Sequence, residues 1–218
     1  MIRARDASAL LSVSLVLLAS AVSARADIVG TGGSAVIAVP PADIGIDQWE
    51  SNTETRAWFE RSLTLSAPLT LDAVNMGLIS NTGDPIPGQV GIGTAITSYM
   101  LRADPISHVV LTGYLQFDQP ILGVLFLRSS LNGSDSLLGL PGVLYNQNPQ
   151  RGVDLSDPTD PDSFTISSDR MRIDFSFGVG GWTDDIRIVT AVPCPGGAAV
   201  GIVAGLAMAR RRRRTVLS

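Results

Sequence analysis

The sequence predicts an all-β fold: a single antiparallel β-sandwich or jelly-roll-like domain, flanked by an address segment at each end. Three observations carry that expectation. Met171, Ile173, Phe175 and Phe177 alternate with Arg172, Asp174 and Ser176, the period-2 pattern of a strand with one buried face. Ile121 to Leu127 is a continuous apolar run, short enough for a strand and apolar enough for a central one covered on both faces. Between such runs the chain is cut by dense turn chemistry, fullest at Asn81-Thr82-Gly83-Asp84-Pro85-Ile86-Pro87-Gly88, and no part of the body sustains a helical period over about a dozen residues.

The domain is expected over 27–191. It opens with Gly30-Thr31-Gly32-Gly33, which lacks the later glycine and the following helix of a dinucleotide fingerprint and reads as a turn before a strand at Ala35 to Val39. Pro40 and Pro41 end that strand. Asp43 to Thr55 is polar and irregular, with Trp49 set among charges. Trp58 to Leu65 and Leu69 to Leu71 alternate as half-buried strands, and further strands fall at Gln89 to Ile96, Ser98 to Arg102 and His108 to Phe117. After the apolar run, Asn132-Gly133 marks a turn and Ser134 to Tyr145 reads as a loop with small apolar anchors. Asp162 to Ser167, Arg170 to Phe177 and Asp185 to Val192 bring the total to about nine strands.

The two ends carry addresses. Arg3 and Arg5 precede an apolar core from Ala9 to Leu18, and Ala24-Arg25-Ala26 places small residues at −3 and −1 of a cleavage site, so 1–26 reads as a secretory signal peptide with Asp27 the first mature residue. At the other end, Val192-Pro193-Cys194-Pro195-Gly196 leads into an uncharged stretch from Gly196 to Ala209 and then Arg210, Arg211, Arg212, Arg213 and Arg214. As a helix the uncharged stretch spans about 21 Å against a hydrocarbon core of about 30 Å, a thin anchor. The arginines hold its far end in the cytoplasm.

Those terminal arginines conceal the character of the body. The whole chain of 218 residues has a formal charge of −4, yet three arginines and one aspartate lie in 1–26 and five arginines lie in the tail. The remaining eight basic and nineteen acidic residues give the body a charge of about −11. Such a body does not bind nucleic acid by neutralising phosphates, and it attracts divalent cations. The only cysteine, Cys194, lies outside it, so no disulfide can staple the fold and stability must come from packing.

The motif Val192-Pro193-x-Pro195-Gly196, the short Gly/Ala-rich helix over 196–209 and the basic end 210–214 resemble the PEP-CTERM sorting signal of Gram-negative bacteria. Cys194 stands where many members carry Glu or a small residue. The resemblance implies export by signal peptidase and the Sec machinery, a transient stay in the inner membrane, and recognition by an exosortase-type transpeptidase that cuts near the proline motif. Segments Phe117 to Val124, Ser134 to Gly139, Arg151-Gly152 and Asp185 to Thr190 resemble a body type that recurs among such proteins; that likeness covers under half the chain and implies no catalysis.

Chemistry in the body has three candidates, each facing a plainer reading. Asp154, Asp157, Asp160 and Asp162 crowd one loop and can supply several of the hard oxygens that calcium wants, or simply start turns in a solvated loop. Trp49 and Trp182 stand in polar contexts and can stack on a saccharide such as exopolysaccharide, or pack in the core. His108, the only histidine, leaves a Ser-His-Asp triad formally open, but no G-x-S-x-G elbow accompanies it. Cys194, beside the processing point, is either an acylation target or a variable motif position. The sequence therefore points to an exported, non-catalytic surface or matrix protein with no resident cofactor, then to a carbohydrate- or calcium-dependent binding module, and last to a secreted hydrolase.

Overall fold

The computed structural model describes residues 25–45, 47–149, 151–156 and 162–193. Among them the chain forms fourteen strands and one helix: β1 Ile28–Gly33, β2 Ala35–Ile37, β3 Asp43–Ile44, β4 Thr55–Thr64, β5 Leu69–Leu71, β6 Gly77–Ile79, β7 Gly88–Val90, β8 Ala95–Ala103, β9 Val109–Phe117, β10 Ile121–Leu125, α1 Arg128–Leu138, β11 Leu144–Tyr145, β12 Ser163–Ile166, β13 Arg172–Val179 and β14 Asp184–Ala191. The protein is mostly β, as the alternation implies. The first sheet has the order β1-β9-β13-β12-β6 and the second β10-β14-β8-β4-β2; all their pairings are antiparallel except that of β2 with β4.

The two sheets share one apolar core. Leu115, Phe164, Ile173 and Phe175 from the first sheet meet Tyr99, Leu101, Ile186 and Ile188 from the second in a single buried cluster. Burying each such large side chain contributes about 1.5–3 kcal/mol of hydrophobic driving force, so this sandwich-like layer is the main support of the fold. The other face of the second sheet is also covered: Trp58, Met100, Leu125 and Val189 pack there with Leu131 and Leu138 of α1. Strands β4, β8, β10 and β14 of the second sheet thus each serve two buried layers, and period-2 alternation assigns their residues between them.

Four expectations are corrected. Gly30-Thr31-Gly32-Gly33 is not a turn but the end of β1, paired antiparallel with β9, and the absent side chain of Gly32 lets the Tyr114 ring lie over it. The turn at Asn132-Gly133 and the first part of the expected loop, Ser134 to Leu138, belong instead to α1, whose buried Leu131, Ser134 and Leu138 lie on one face. Serine, asparagine and glycine are weak helix formers, so tertiary contacts hold this helix. At its start, the Asp72 carboxylate accepts hydrogen bonds from the backbone N–H of Phe126 and Leu127 and from Ser130 Oγ (2.8, 2.9 and 2.6 Å). The strand expected over Gln89 to Ile96 is broken by a turn at 92–93 that separates β7 from β8. Within the apolar run Ile121 to Leu127, residues Ile121–Leu125 form β10, an edge strand of its sheet rather than a central one. It is buried nonetheless, because Ala73 bridges to Val124 from the unpaired side (2.9 Å for Val124 N–H to Ala73 O) and closes that edge. Among the described residues no helix is long and apolar enough to cross a membrane; the stretch 196–209 lies outside them.

Candidate functional site

The outward residues of β4, β8 and β14 include several charges, and these converge beneath α1. Arg187 of β14 forms a two-pronged pair with Glu60 of β4, Nε to Oε2 at 2.7 Å and Nη2 to Oε1 at 2.9 Å, with both side chains fully buried. Glu60 also accepts hydrogen bonds from the hydroxyls of Ser98 and Tyr145, each at 2.6 Å. The same guanidinium reaches the helix: Nη1 donates to Ser134 Oγ (2.6 Å) and Leu131 O (3.2 Å), and Nη2 also donates to Asp135 Oδ1 (2.9 Å). Asp135 in turn takes two bonds from Arg151, at 2.6 and 3.0 Å, and Arg151 Nε donates to Asp185 Oδ2 at 3.0 Å. The chain of charges ends with Arg102, 3.6 Å from Asp185 Oδ1 and 2.8 Å from Asp104 Oδ2.

Burial and pairing pull in opposite directions here, and their balance decides each group's state. Burial lowers the pKa of Arg187, but Glu60 and Asp135 outweigh it and hold the guanidinium charged, above its usual value. Arg151 behaves likewise, with Asp135 and Asp185 overcoming its desolvation. The Tyr145 phenol is pushed well above its usual range, first by burial and then by Glu60, so it stays a donor. For Asp104 burial wins over Arg102 and raises the carboxyl. Around Glu60 and Asp135 the network is chemically committed, its carboxylates paired with arginines and, at Glu60, accepting hydrogen bonds from hydroxyls. At its other end Asp185 Oδ1 and Arg102 Nε and Nη1 are buried without a hydrogen-bond partner among the described residues. Breaking it from one side would strand a buried charge.

The landmark segments Ser134 to Gly139, Arg151-Gly152 and Asp185 to Thr190, far apart in the chain, supply Ser134, Asp135, Arg151, Asp185 and Arg187 to this network, and Glu60, Arg102, Asp104 and Tyr145 come from elsewhere. Gly152 supports the placement of Arg151: its φ is +105°, and a Cβ there would lie 2.3 Å from the Phe126 carbonyl oxygen. Sequence reading missed Glu60, Arg102 and Arg151 as buried groups, and set Ser134 in a turn. The one available signal was the alternation in Asp185-Ile186-Arg187-Ile188, which puts two charges on a single face of a strand.

A cleft of about 470 Å³ lies beside the network, lined by Arg128, Gly152, Asp154, Asp162, Trp182 and Asp184 among others. Trp182 is 46% exposed there, an aromatic ring open to solvent beside polar groups. A second hollow of about 630 Å³, bordered by Asp72, Asp84 and Pro85, shares Leu127, Val153 and Asp154 with it.

The remaining expected site residues scatter. Trp49 takes no part in the Trp182 cleft; it packs against Trp58 with ring centroids 5.6 Å apart, and the Arg56 guanidinium lies 4.6 Å from its ring. Asp154 and Asp162 do come together. Asp162 accepts the backbone N–H of Asp154 and of Gly178, both at 2.9 Å, while Asp154 Oδ1 accepts Ser156 N–H and Oγ at 2.8 and 2.7 Å. Both carboxylates therefore fix local backbone, and Asp157 and Asp160 lie outside the described residues. Among the described residues no group of three or more acidic, histidine or cysteine side chains is disposed to hold a metal ion. His108 is exposed just before β9. At the ends, Ala26 is fully buried and Val192 N–H reaches Ala95 O at 3.3 Å, whereas Ala24, Cys194, Pro195, Gly196 and Arg210 to Arg214 lie outside the described residues. Comparison of the chain with protein-family models, with curated proteins and with solved structures finds no significant match.

Proposed function

We propose that the protein is an exported, non-catalytic β-sandwich of the cell surface or extracellular matrix, delivered by the signal at its C-terminus and cut there by an exosortase-type enzyme. The observation that supports this most is where the fold ends. Strand β14 closes at Ala191, and the last backbone bond of the domain, Val192 N–H to Ala95 O, falls on the first residue of the Val192-Pro193-Cys194-Pro195-Gly196 motif. A cut within that motif removes no strand and no core residue. The buried charges favour the same reading, since Glu60, Asp135 and Asp185 are spent on holding arginines and hydroxyls.

The test is expression of the full chain in a Gram-negative host with and without an exosortase, followed by intact-mass measurement of the surface or released protein. The expected product lacks the segment after the motif only in the exosortase strain, and Pro193→Ala combined with Pro195→Ala restores the uncut mass. An uncut tail in both strains overturns the reading. The same spectrum reports whether Cys194 carries an acyl chain.

A saccharide-binding module is the second reading, and the exposure of Trp182 in the cleft beside Arg128 favours it. Titration with exopolysaccharide is expected to shift tryptophan fluorescence in the wild type and not in Trp182→Ala; equal responses would exclude this cleft. Weak calcium binding by the Asp154 to Asp162 loop predicts a higher melting temperature in calcium than in chelator, and equal temperatures would remove it.

A further inference from the structure

We infer that signal peptidase cuts between Ala24 and Arg25, so that the exported protein begins Arg25-Ala26-Asp27. This rests on the reading of the N-terminal segment as a secretory signal. The sequence offers two cuts. Ala24 and Ala26 at −3 and −1 place one before Asp27, and Val22 and Ala24 at −3 and −1 place the other before Arg25. Both have alanine on the acyl side of the bond that breaks. Ala24-Arg25-Ala26 is the fuller A-x-A match, while uncharged Val22 at −3 keeps the earlier cut open, so the motif alone does not settle the choice. The fold supplies the missing discrimination.

Ala26 is part of the domain. Its side chain is fully buried in the cluster between the two sheets, in company with Tyr99 and Phe117. Its N–H donates to Thr97 Oγ1 at 3.3 Å, and its carbonyl accepts the Tyr99 hydroxyl. Tyr99 is itself 2% exposed, with its ring against Phe117 and Phe59 at centroid distances of 5.2 and 6.0 Å. Burial, with Asp27 adding to it, pushes this phenol well above its usual range, so the hydroxyl remains a donor that needs an acceptor. Without Ala26 the tyrosine would lose that acceptor and the core would carry a hole. Arg25 belongs to the domain as well. Its Nε donates to Asp27 Oδ1 at 2.8 Å while its guanidinium covers the Phe59 ring at 4.8 Å.

The competing cut offers little in exchange. It would turn the Asp27 nitrogen into an α-ammonium 2.7 Å from Asp118 Oδ1, but that nitrogen already donates to the same oxygen and the site is exposed. Timing leads to the same choice. After β1 has paired with β9, the Ala26–Asp27 peptide adjoins a buried residue and cannot extend into a protease cleft. Before pairing, cutting there yields a chain without one of its core residues. Cutting before Arg25 avoids both outcomes.

Hydrolysis at this bond adds one water across the Ala24 carbonyl and the Arg25 nitrogen, releasing a new carboxylate on the signal and a new ammonium on Arg25. The experiment is N-terminal sequencing and intact-mass analysis of the full chain exported by a Gram-negative host. The expected sequence is Arg-Ala-Asp, heavier than the alternative by one arginine and one alanine residue. Val22→Asp disturbs the −3 position of the proposed cut and leaves both alanines of the other intact; its expected effect is loss of the Arg25 terminus with accumulation of precursor. A terminus at Asp27 in the wild-type protein overturns the proposal and leaves the signal reading standing. An exported or membrane-retained chain that still begins at Met1 overturns both.

Discussion

Two neighbouring residues of β14 live in different physical worlds. Ile188 points into the core between the sheets, where contacts are non-directional and roughly proportional to apolar area. Arg187 points the other way, under α1, where its donors meet Glu60, Ser134 and Asp135. The first layer holds the sheets together and tolerates changes of similar volume. The second fixes where the helix sits, because a guanidinium satisfied from strand and helix at once accepts only one placement. Its stability is conditional: the pairing compensates a large desolvation cost, so the layer is robust intact and fragile when one partner is missing.

The sharpest way to break the comparison is Arg187→Ala. It leaves Glu60 buried without its counter-charge and is expected to cost about 3–5 kcal/mol, read from the midpoint of urea unfolding. Glu60→Leu with Arg187→Met removes both charges together, and the pair is expected to cost about 2–3 kcal/mol less than the sum of the single losses. Additive losses would mean that the two residues do not act as a unit. Next in size is Asp72→Ala, which strips three hydrogen bonds from the start of α1; a loss of about 1–2 kcal/mol is expected, as for a helix cap. On the apolar side, Ile188→Val removes one methylene from a closed core and is expected to cost about 1 kcal/mol in the same assay. A larger loss there than at Arg187 would reverse the ranking of the two layers.

The same contrast explains what was legible in the sequence. Alternation in Arg172 to Phe177 marked β13 and its buried face, because apolar residues at period two declare their own burial. The strands of the all-β fold were readable for that reason. The polar layer was not, since a charge in a strand looks the same whether water or a helix lies above it. Arg102, Arg151 and Glu60 reveal themselves only when partners distant in sequence converge. Helix α1 was hidden twice, by an Asn-Gly pair that usually turns and by serines whose helical bonding depends on Asp72 and Arg187. The apolar run shows its burial from Ile121 to Phe126 but not its place in the sheet, and Leu127 at its end is exposed, because hydropathy is silent about which neighbour covers a side chain. Of the candidate site residues, Trp182 was legible as an aromatic in a polar turn, whereas Trp49 in a similar context packs on Trp58.

Asp104 gives the finest test, because it concerns charge alone. The network joins three arginines, Arg102, Arg151 and Arg187, to four carboxyls, Glu60, Asp104, Asp135 and Asp185, so a fully ionised set carries one negative charge in excess. Asp104, at the end of the chain of pairs, is pushed toward its neutral form by burial. A carboxyl whose pKa is raised on folding binds its proton more tightly in the folded state. Its contribution to stability is therefore present at low pH and is lost as pH climbs from the ordinary carboxylate value through the raised one. Asp104→Asn cannot titrate, so relative to wild type it is expected to look worse at pH 3.5 than at pH 7. At pH 7 the change should stay within about 1 kcal/mol, because relief of a buried charge offsets a weaker bond to Arg102. Urea midpoints at the two pH values measure the difference. The opposite slope would show that Arg102 dominates and that Asp104 stays ionised against its burial, which would make the outer layer a set of four charged carboxylates rather than a balanced one.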